Sequence, residues 1–319
     1  MTNLVLALRA HRFETLAVGL FAVGSLGAAA LVVIRLMAWA IPASCFRGTG
    51  PTPVCGGLAP DMDAYLSFAG HWGFFALAGI ALLPVVSGLF LGIAMAGKEI
   101  DRGTTVFAWS LTPSRRRWLV QRVVPVAVGV VTLGLLAGFF ADQLETLRNP
   151  GFDSAGTFGH LGLRGPVVAG EALAVFGLAL AAGAVLGRIL PALLVAGALS
   201  LGAIVGVNLA TDTWLRTETV AVFGVDDVAA VHPDWRVVDY RVQAPDGSIL
   251  TWNEAYERYG EPNAIDGSVG TDGVVLRTVL FVNPAEIYQL VVARMTLLFG
   301  ALGLAAIVIA FAVVDRRRP

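Results

Sequence analysis

Long apolar runs separated by polar segments dominate this sequence. Six runs are each about 20 residues long and almost free of charge, and a helix needs about 20 apolar residues to cross the hydrocarbon core of a bilayer. The runs cover residues 15–34, 73–97, 123–141, 166–187, 189–211 and 295–314. The pattern therefore predicts an all-α polytopic membrane protein with six transmembrane helices.

Two details refine the expected packing of these helices. The fourth and fifth runs together are too long for a single span, so the chain is expected to turn at Arg188. Glycines four positions apart also give small helix faces on which helix backbones can approach closely. Such pairs are Gly88 and Gly92, Gly134 and Gly138, Gly183 and Gly187, and Gly202 and Gly206.

The distribution of charge along the chain predicts the orientation of the helices. Residues 1–14, 98–122, Arg188 and 315–319 hold 12 of the 22 Lys and Arg residues but only 4 of the 23 Asp and Glu residues. By the positive-inside rule these segments are cytoplasmic, so both termini are expected inside. The net charge of −1 gives no indication of a nucleic-acid partner.

The longest polar segment, residues 212–283, is acidic and is predicted to be a small α+β insertion on the extracytoplasmic side. Residues 237–243 and 249–251 flank the turn residues Pro245-Asp246-Gly247, which is typical of a β-hairpin. Residues 253–259 then predict a short helix that Gly260 closes.

The last helix is expected to begin before it reaches the membrane, because Asn283 is a typical helix cap and Pro284 a typical first-turn residue. The predicted organisation is therefore residues 1–211 for the first five helices, 212–283 for the insertion, and 284–319 for the sixth helix with a basic tail.

The two cysteines of the chain, Cys45 and Cys55, both fall in the first predicted outside loop, residues 41–71. A disulfide is the favoured interpretation on an oxidising face of the membrane. Metal binding is the weaker alternative, because two thiolates make an incomplete zinc site and no histidine has a recognisable ligand spacing to them.

The segment 98–122, KEIDRGTTVFAWSLTPSRRRWLVQR, is far longer than a helix connection requires. Its acidic opening holds Glu99 and Asp101, and an apolar patch with Phe107 and Trp109 follows. Thr112-Pro113 then predicts the start of the third helix. Aromatic side chains in a cytoplasmic loop indicate burial against a partner protein, and the alternative is that they lie in the lipid headgroup layer.

The sequence contains only weak matches to motifs for catalysis or ligand binding. Residues 92–98 match a phosphate-binding loop except that Glu99 replaces its final hydroxyl, and its glycines fall in a predicted membrane helix. Glu171 and Arg294 are interpreted as interfacial anchors at helix ends, although an ionisable residue in a span can be functional. We therefore predict no enzyme activity, no metal and no nucleotide site on this chain.

Three blocks of the sequence resemble ABC-2 type transporter permeases. They are the segment 98–122 with its Gly-Thr pair and its TPSRRRW helix start, the turn GRILPALLVAG at 187–197, and the helix start VNPAEIYQLV at 282–291. They are most similar to the branch that includes permeases for multidrug export and for copper-enzyme maturation. The insertion 212–283 departs from the family, since many members carry only a short re-entrant hairpin there.

The resemblance implies that this chain is the permease subunit of an ATP-driven exporter in a bacterial plasma membrane, with a second permease copy as partner. ATP and magnesium would be bound by a separate ATPase subunit, on which a coupling helix of the segment 98–122 docks. The residues assigned to this contact and its membrane edge are Glu99, Asp101, Gly103, Thr104, Phe107, Trp109, Arg115, Arg116 and Arg117. The alternative function is a membrane-anchored sensor or assembly scaffold with an external ligand-binding cap.

Overall fold

The structure is a computed structural model. It describes residues 12–42, 45–46, 57–101, 114–148, 150, 158–223, 235–259 and 276–316. The chain divides into a large helical unit and a smaller unit.

Six helices in the described part of the chain are long and apolar enough to cross a membrane, as the sequence predicts. They are α1 (Arg12–Ala38), α2 (Ala59–Asp101), α3 (Arg115–Arg148), α4 (Pro166–Leu186), α5 (Ile189–Thr217) and α7 (Tyr288–Arg316). A further described helix, α6 (Trp252–Tyr259), belongs to the smaller unit. The chain is therefore a multi-pass membrane protein.

Helices α2 and α3 are longer than the apolar runs that predict them. The outside loop predicted for residues 41–71 is wrong from Ala59 onward, because α2 begins there with Pro60 and Asp61 in its first turn, where both residues are favourable. The apolar run 123–141 likewise ends before α3 does, since this helix continues to Arg148. Hydropathy marks only the part of a helix that lipid surrounds. Both helices continue beyond their apolar runs, since no glycine or proline ends them there.

The start of α3 is described from Ser114 onward. Thr112 and Pro113, the predicted cap, lie outside the described residues. The hydroxyl of Ser114 accepts a hydrogen bond from the backbone N–H of Arg117 at 3.2 Å, which is the geometry of an N-cap. The helix therefore begins with Arg115.

Helix α4 is the most deeply buried of the six. About half of its residues are alanine or glycine, and most of its length is buried inside the large unit. A helix that is apolar on every side is expected to lie in the interior. Its small side chains let the neighbouring helices approach its backbone closely.

The predicted glycine faces make most of these approaches. A Cβ atom added at Gly92 of α2 would lie 2.6 Å from the carbonyl oxygen of Phe176 in α4. Gly88 contacts the same helix, Gly134 and Gly138 of α3 pack on its start, and Gly183 of α4 packs against Gly97 of α2. No described atom lies within 4 Å of a Cβ at Gly202 or Gly206 of α5, so the prediction for this pair stays a prediction.

The predicted turn at Arg188 is confirmed. Helix α4 ends at Leu186, and Gly187 adopts φ 63°, a left-handed conformation that glycine accommodates without strain. The N–H of Gly187 donates to the carbonyl oxygen of Gly183 at 3.0 Å, which satisfies one of the carbonyls at the helix end. Helix α5 starts two residues later, at Ile189.

The smaller unit comprises residues Asn149–Gly159 and Ala210–Val291 and contains a four-stranded antiparallel sheet. Its strands are β1 (Val220–Phe223), β2 (Arg236–Gln243), β3 (Ile249–Thr251) and β4 (Arg277–Asn283), in the spatial order β1-β4-β2-β3. The predicted hairpin is confirmed as β2 and β3, with Gly247 at φ 85° in the turn. Strands β1 and β4 were not predicted, since they pair across a long sequence distance without a local turn.

The predicted short helix is confirmed as α6 (Trp252–Tyr259), while Gly260 lies outside the described residues. A capping box begins this helix. The carboxylate of Glu254 accepts hydrogen bonds from the backbone N–H and the hydroxyl of Thr251, both at 2.8 Å. These bonds stabilise the charged form and hold the pKa of Glu254 below its usual range.

Asn283 does not cap the last helix, contrary to the prediction. It ends strand β4, and its side-chain amide donates to the carbonyl oxygens of Leu215 at 2.7 Å and Glu218 at 3.3 Å. A 3-10 turn over Ala285–Ile287 with Pro284 as its cap precedes α7 instead. Asn283 thus satisfies carbonyl groups at the C-terminal end of α5.

Substitution of Gly92 by alanine is expected to destabilise the bundle. The added methyl group meets backbone atoms of α4 that cannot move away, and overpacking of this kind costs about 1–3 kcal/mol. Gly129→Ala in α3 is the matched control, because its methyl group meets no described atom and alanine is the better helix former by up to about 1 kcal/mol. Thermal unfolding in detergent should give a lower Tm for Gly92→Ala only, and equal Tm values would contradict this packing.

Candidate functional site

The candidate site lies where α2 ends and α3 begins, at the two ends of the segment predicted to bind a partner. Asp101 is the last residue of α2 and is exposed, and Arg116 and Arg117 are exposed in the first turn of α3. Glu99 and Arg115 belong to these helices, but their side chains lie outside the description. The described residues also exclude Gly103, Thr104, Phe107 and Trp109. The contact role of all the assigned residues therefore stays a prediction.

An ion pair anchors the end of α2. The ammonium group of Lys98 lies 2.5 Å from the Glu14 carboxylate of α1, and the two side chains are only 12% and 23% exposed. Basic residues in the last turn of a helix and acidic residues in the first also suit the helix dipoles. Removal of one partner from a largely buried pair is costly, because the remaining charge stays desolvated.

The same end of α2 packs directly on α4. Met95 and Ala96 are buried in a core cluster with Phe176 and Leu180 of α4. One residue further, Gly97 brings the two helix backbones into contact. The position of Lys98 is therefore fixed both by its ion pair and by the packing beneath it.

The start of α3 is anchored in the same core cluster. Trp118 and Leu119 are buried there, together with Val314 near the end of α7. The guanidinium group of Arg122 lies 4.6 Å from the centre of the Trp118 ring, which is a favourable cation–π distance. A further pair joins Arg116 to Asp315 at 3.5 Å, but both side chains are exposed and such pairs contribute little.

The helix residues next to both ends of the segment 102–113 are held by one packed core. Among the described residues, no cluster of three or more His, Cys, Asp or Glu side chains is placed to hold a metal ion.

A second polar cluster lies at the opposite end of α3 and was not predicted. The guanidinium group of Arg164 is almost fully buried and donates to the Asp142 carboxylate at 2.8 Å. The buried carboxylate of Glu145 lies 3.2 Å from the His160 ring and 3.7 Å from Arg148. These pairs fasten the connection between α3 and α4, so their role in the large unit is structural.

Glu171 is not the interfacial anchor that the sequence suggested. It lies on α4 and is 5% exposed, because other helices pack around α4. Position near a helix end indicates exposure only for helices at the outside of a bundle. The carboxyl group is therefore an interior group of the large unit.

The structure describes one of the two cysteines. Cys45 is disulfide-bonded, and the only other cysteine in the sequence is Cys55, which lies outside the described residues. The pairing of the two stays a prediction.

Some of the anchoring residues could have been found in the sequence. Trp118 and Arg122 are four positions apart and therefore lie on one face of a helix, which is the signal for their contact. The Glu14–Lys98 pair gave only a weak signal, since the two residues lie far apart along the chain. Their proximity depends on how α1 packs against α2.

Comparison with known proteins gives one match. A family model described as "ABC-2 membrane transporter related" matches residues 20–216, which is more than half of the chain and spans the first five helices. No curated protein and no solved structure matches the chain.

The anchoring of α2 can be tested through the charges of its ion pair. Lys98→Met leaves the Glu14 carboxylate without its ammonium partner and should destabilise the protein by about 1–2 kcal/mol. The double variant Glu14→Gln, Lys98→Met removes both charges and should recover most of this loss. Arg116→Gln, which breaks the exposed pair with Asp315, should change stability by less than about 0.5 kcal/mol.

Thermal unfolding of the purified variants in detergent gives the order of stabilities. The anchoring interpretation is wrong if Lys98→Met is as stable as Arg116→Gln, or if the double variant is the least stable of the three.

Proposed function

Because the chain belongs to the ABC-2 membrane transporter related family, a family of membrane transport subunits, we propose that it is the permease of an ATP-driven exporter. In this proposal a separate ABC ATPase subunit binds ATP and magnesium, and this chain supplies the path across the membrane. Association with such a subunit is what the family implies. No catalytic step is assigned to residues of this chain.

The observation that carries the proposal is the anchoring of both ends of the segment 102–113 in one core. Lys98 and Gly97 fix the end of α2, and Trp118 fixes the start of α3. A partner bound to the intervening segment can therefore move two membrane helices at once. Motion driven by ATP binding would pass from the partner into α2 and α3, and from these to α4 through the glycine contacts.

The orientation of the chain follows from its charges. The proposal places the termini and the segment 98–122 in the cytoplasm and the smaller unit outside, in the plasma membrane of a bacterium. The excess of Lys and Arg in the segments assigned to the inside supports this orientation.

A second permease copy completes the proposed transporter. The outer face of α5 supports this part of the proposal, since Gly202 and Gly206 form a small-residue face that no described part of the same chain covers. Small-residue faces are typical of contacts between membrane helices. The transported molecule would pass between the two copies.

Replacement of residues 106–111 by a Gly/Ser linker of equal length should abolish binding of the ATPase subunit. The linker keeps the connection between α2 and α3 but removes Phe107 and Trp109, which are expected to be the apolar anchors of the contact. The matched control carries the same linker in place of residues 225–230, on the other proposed side of the membrane. Co-purification of the two tagged subunits in mild detergent measures the binding.

Equal recovery of the ATPase subunit with both variants would contradict the docking role. A scaffold that merely binds a cytoplasmic protein is distinguished by a second measurement, the ATP turnover of the reconstituted subunits. The transporter proposal expects turnover to require this chain, whereas turnover that is independent of it would favour the scaffold.

A further inference from the structure

A pocket of about 190 Å³ lies between α2 and α5 in the large unit. Its walls are apolar and consist of Phe90, Ile93 and Ala94 from α2 with Ile189 and Leu193 from α5. Because a helix rises 1.5 Å per residue, the residues from Phe90 to Lys98 extend over about 12 Å along α2. The lining residues of α2 thus extend along the axis of this helix.

The pocket is open toward the surroundings of the bundle. Phe90 is 48% exposed and Ile189 is 39% exposed, and both belong to helices that are apolar enough to span the membrane. An apolar cavity does not hold water well, because ordered water needs polar partners. Hydrocarbon is the medium that such an opening meets in a bilayer.

One end of the pocket carries charge. Lys98 and Glu14 complete its lining, and their charges match each other as an ion pair. Arg188 immediately precedes the lining residue Ile189 and is exposed, so it adds a positive charge next to the pocket. Lys98 lies in the last turn of α2, so the charged end of the pocket lies at the C-terminal end of this helix.

The start of α5 adds to the positive character of this end. The carbonyl oxygen of Arg188 accepts a hydrogen bond from the N–H of Ala192 at 3.1 Å, which makes Arg188 the N-cap of the helix. The N–H groups of Ile189 and Leu190 then have no acceptor within the helix. A helix start of this kind favours an anionic group, and a basic pocket between membrane helices suits a phospholipid headgroup.

We propose that this pocket holds one acyl chain of an anionic phospholipid from the leaflet in which Lys98 lies. The phosphate would sit at the start of α5, beside Arg188, and the chain would lie along Ile93 and Ala94. Pockets for complete small ligands measure about 300–1,000 Å³, so this one accepts a single chain while the rest of the lipid stays in the bilayer. The inference depends on the membrane helices alone and not on the proposed export function.

The test uses the full chain in lipid nanodiscs that contain a phospholipid with a photoreactive acyl chain. One sample contains phosphatidylglycerol and the other contains phosphatidylcholine with the same chain, and mass spectrometry maps the labelled peptides. Phosphatidylglycerol is expected to label the α2 and α5 segments that contain Ala94 and Leu193 more strongly than phosphatidylcholine does. Equal labelling by both lipids would overturn the selection of an anionic headgroup.

Two variants separate the pocket from the general lipid surface. Ala94→Trp fills the pocket and should lower its labelling by about tenfold. The control Leu194→Trp adds the same side chain at a neighbouring position of α5 that is 67% exposed and does not line the pocket, and it should leave the labelling unchanged. Equal labelling in Ala94→Trp and Leu194→Trp would overturn the pocket as the site.

A third variant keeps the proposal testable if Ala94→Trp fails to fold, which size-exclusion chromatography would reveal. Arg188→Gln leaves the apolar walls intact and should reduce the preference for phosphatidylglycerol over phosphatidylcholine. An unchanged preference would overturn the assignment of the phosphate to the start of α5. Stronger labelling by a free photoreactive fatty acid than by phosphatidylglycerol would overturn the assignment to a phospholipid.

Discussion

Contact between helix backbones around α4 is the constraint on which the rest of the membrane bundle depends. In a bilayer the apolar surface of a helix gains little by leaving lipid, so helices associate mainly through close packing and polar contacts. Gly92 of α2, Gly134 of α3 and Gly303 of α7 each bring a backbone against α4. Because a side chain at these positions would meet backbone atoms, the contacts fix the position of each helix along α4.

Under the proposed function, that fixed position would let the segment between α2 and α3 transmit force. Met95 and Trp118 lie in one core cluster with Phe176, so the ends of the segment cannot move independently of α4. Packed helices can couple two sites only when they move together as a unit.

The sequence predicts the membrane helices, the hairpin and the turn at Arg188 well, because each has a local signal. Apolar length marks the spans, Pro245-Asp246-Gly247 marks the hairpin, and Gly187 marks the end of α4. The extents of α2 and α3 beyond the apolar runs carried no such signal, and strands β1 and β4 pair only through the tertiary fold. The burial of Glu171 and the Glu14–Lys98 pair likewise depend on which helix occupies the centre. The residues from Gly103 to Trp109 were assigned to a partner contact by resemblance, and this role stays a prediction.

The account requires the segment 98–122 to face the compartment that contains ATP, and cysteine labelling tests this most directly. A single added cysteine, Trp109→Cys in one variant and Asp246→Cys in another, is treated with a membrane-impermeant maleimide, and the unmodified chain reports the background from Cys45 and Cys55. The account predicts that Trp109→Cys reacts only in inverted vesicles and Asp246→Cys only in intact cells. Reaction of Trp109→Cys in intact cells would contradict it.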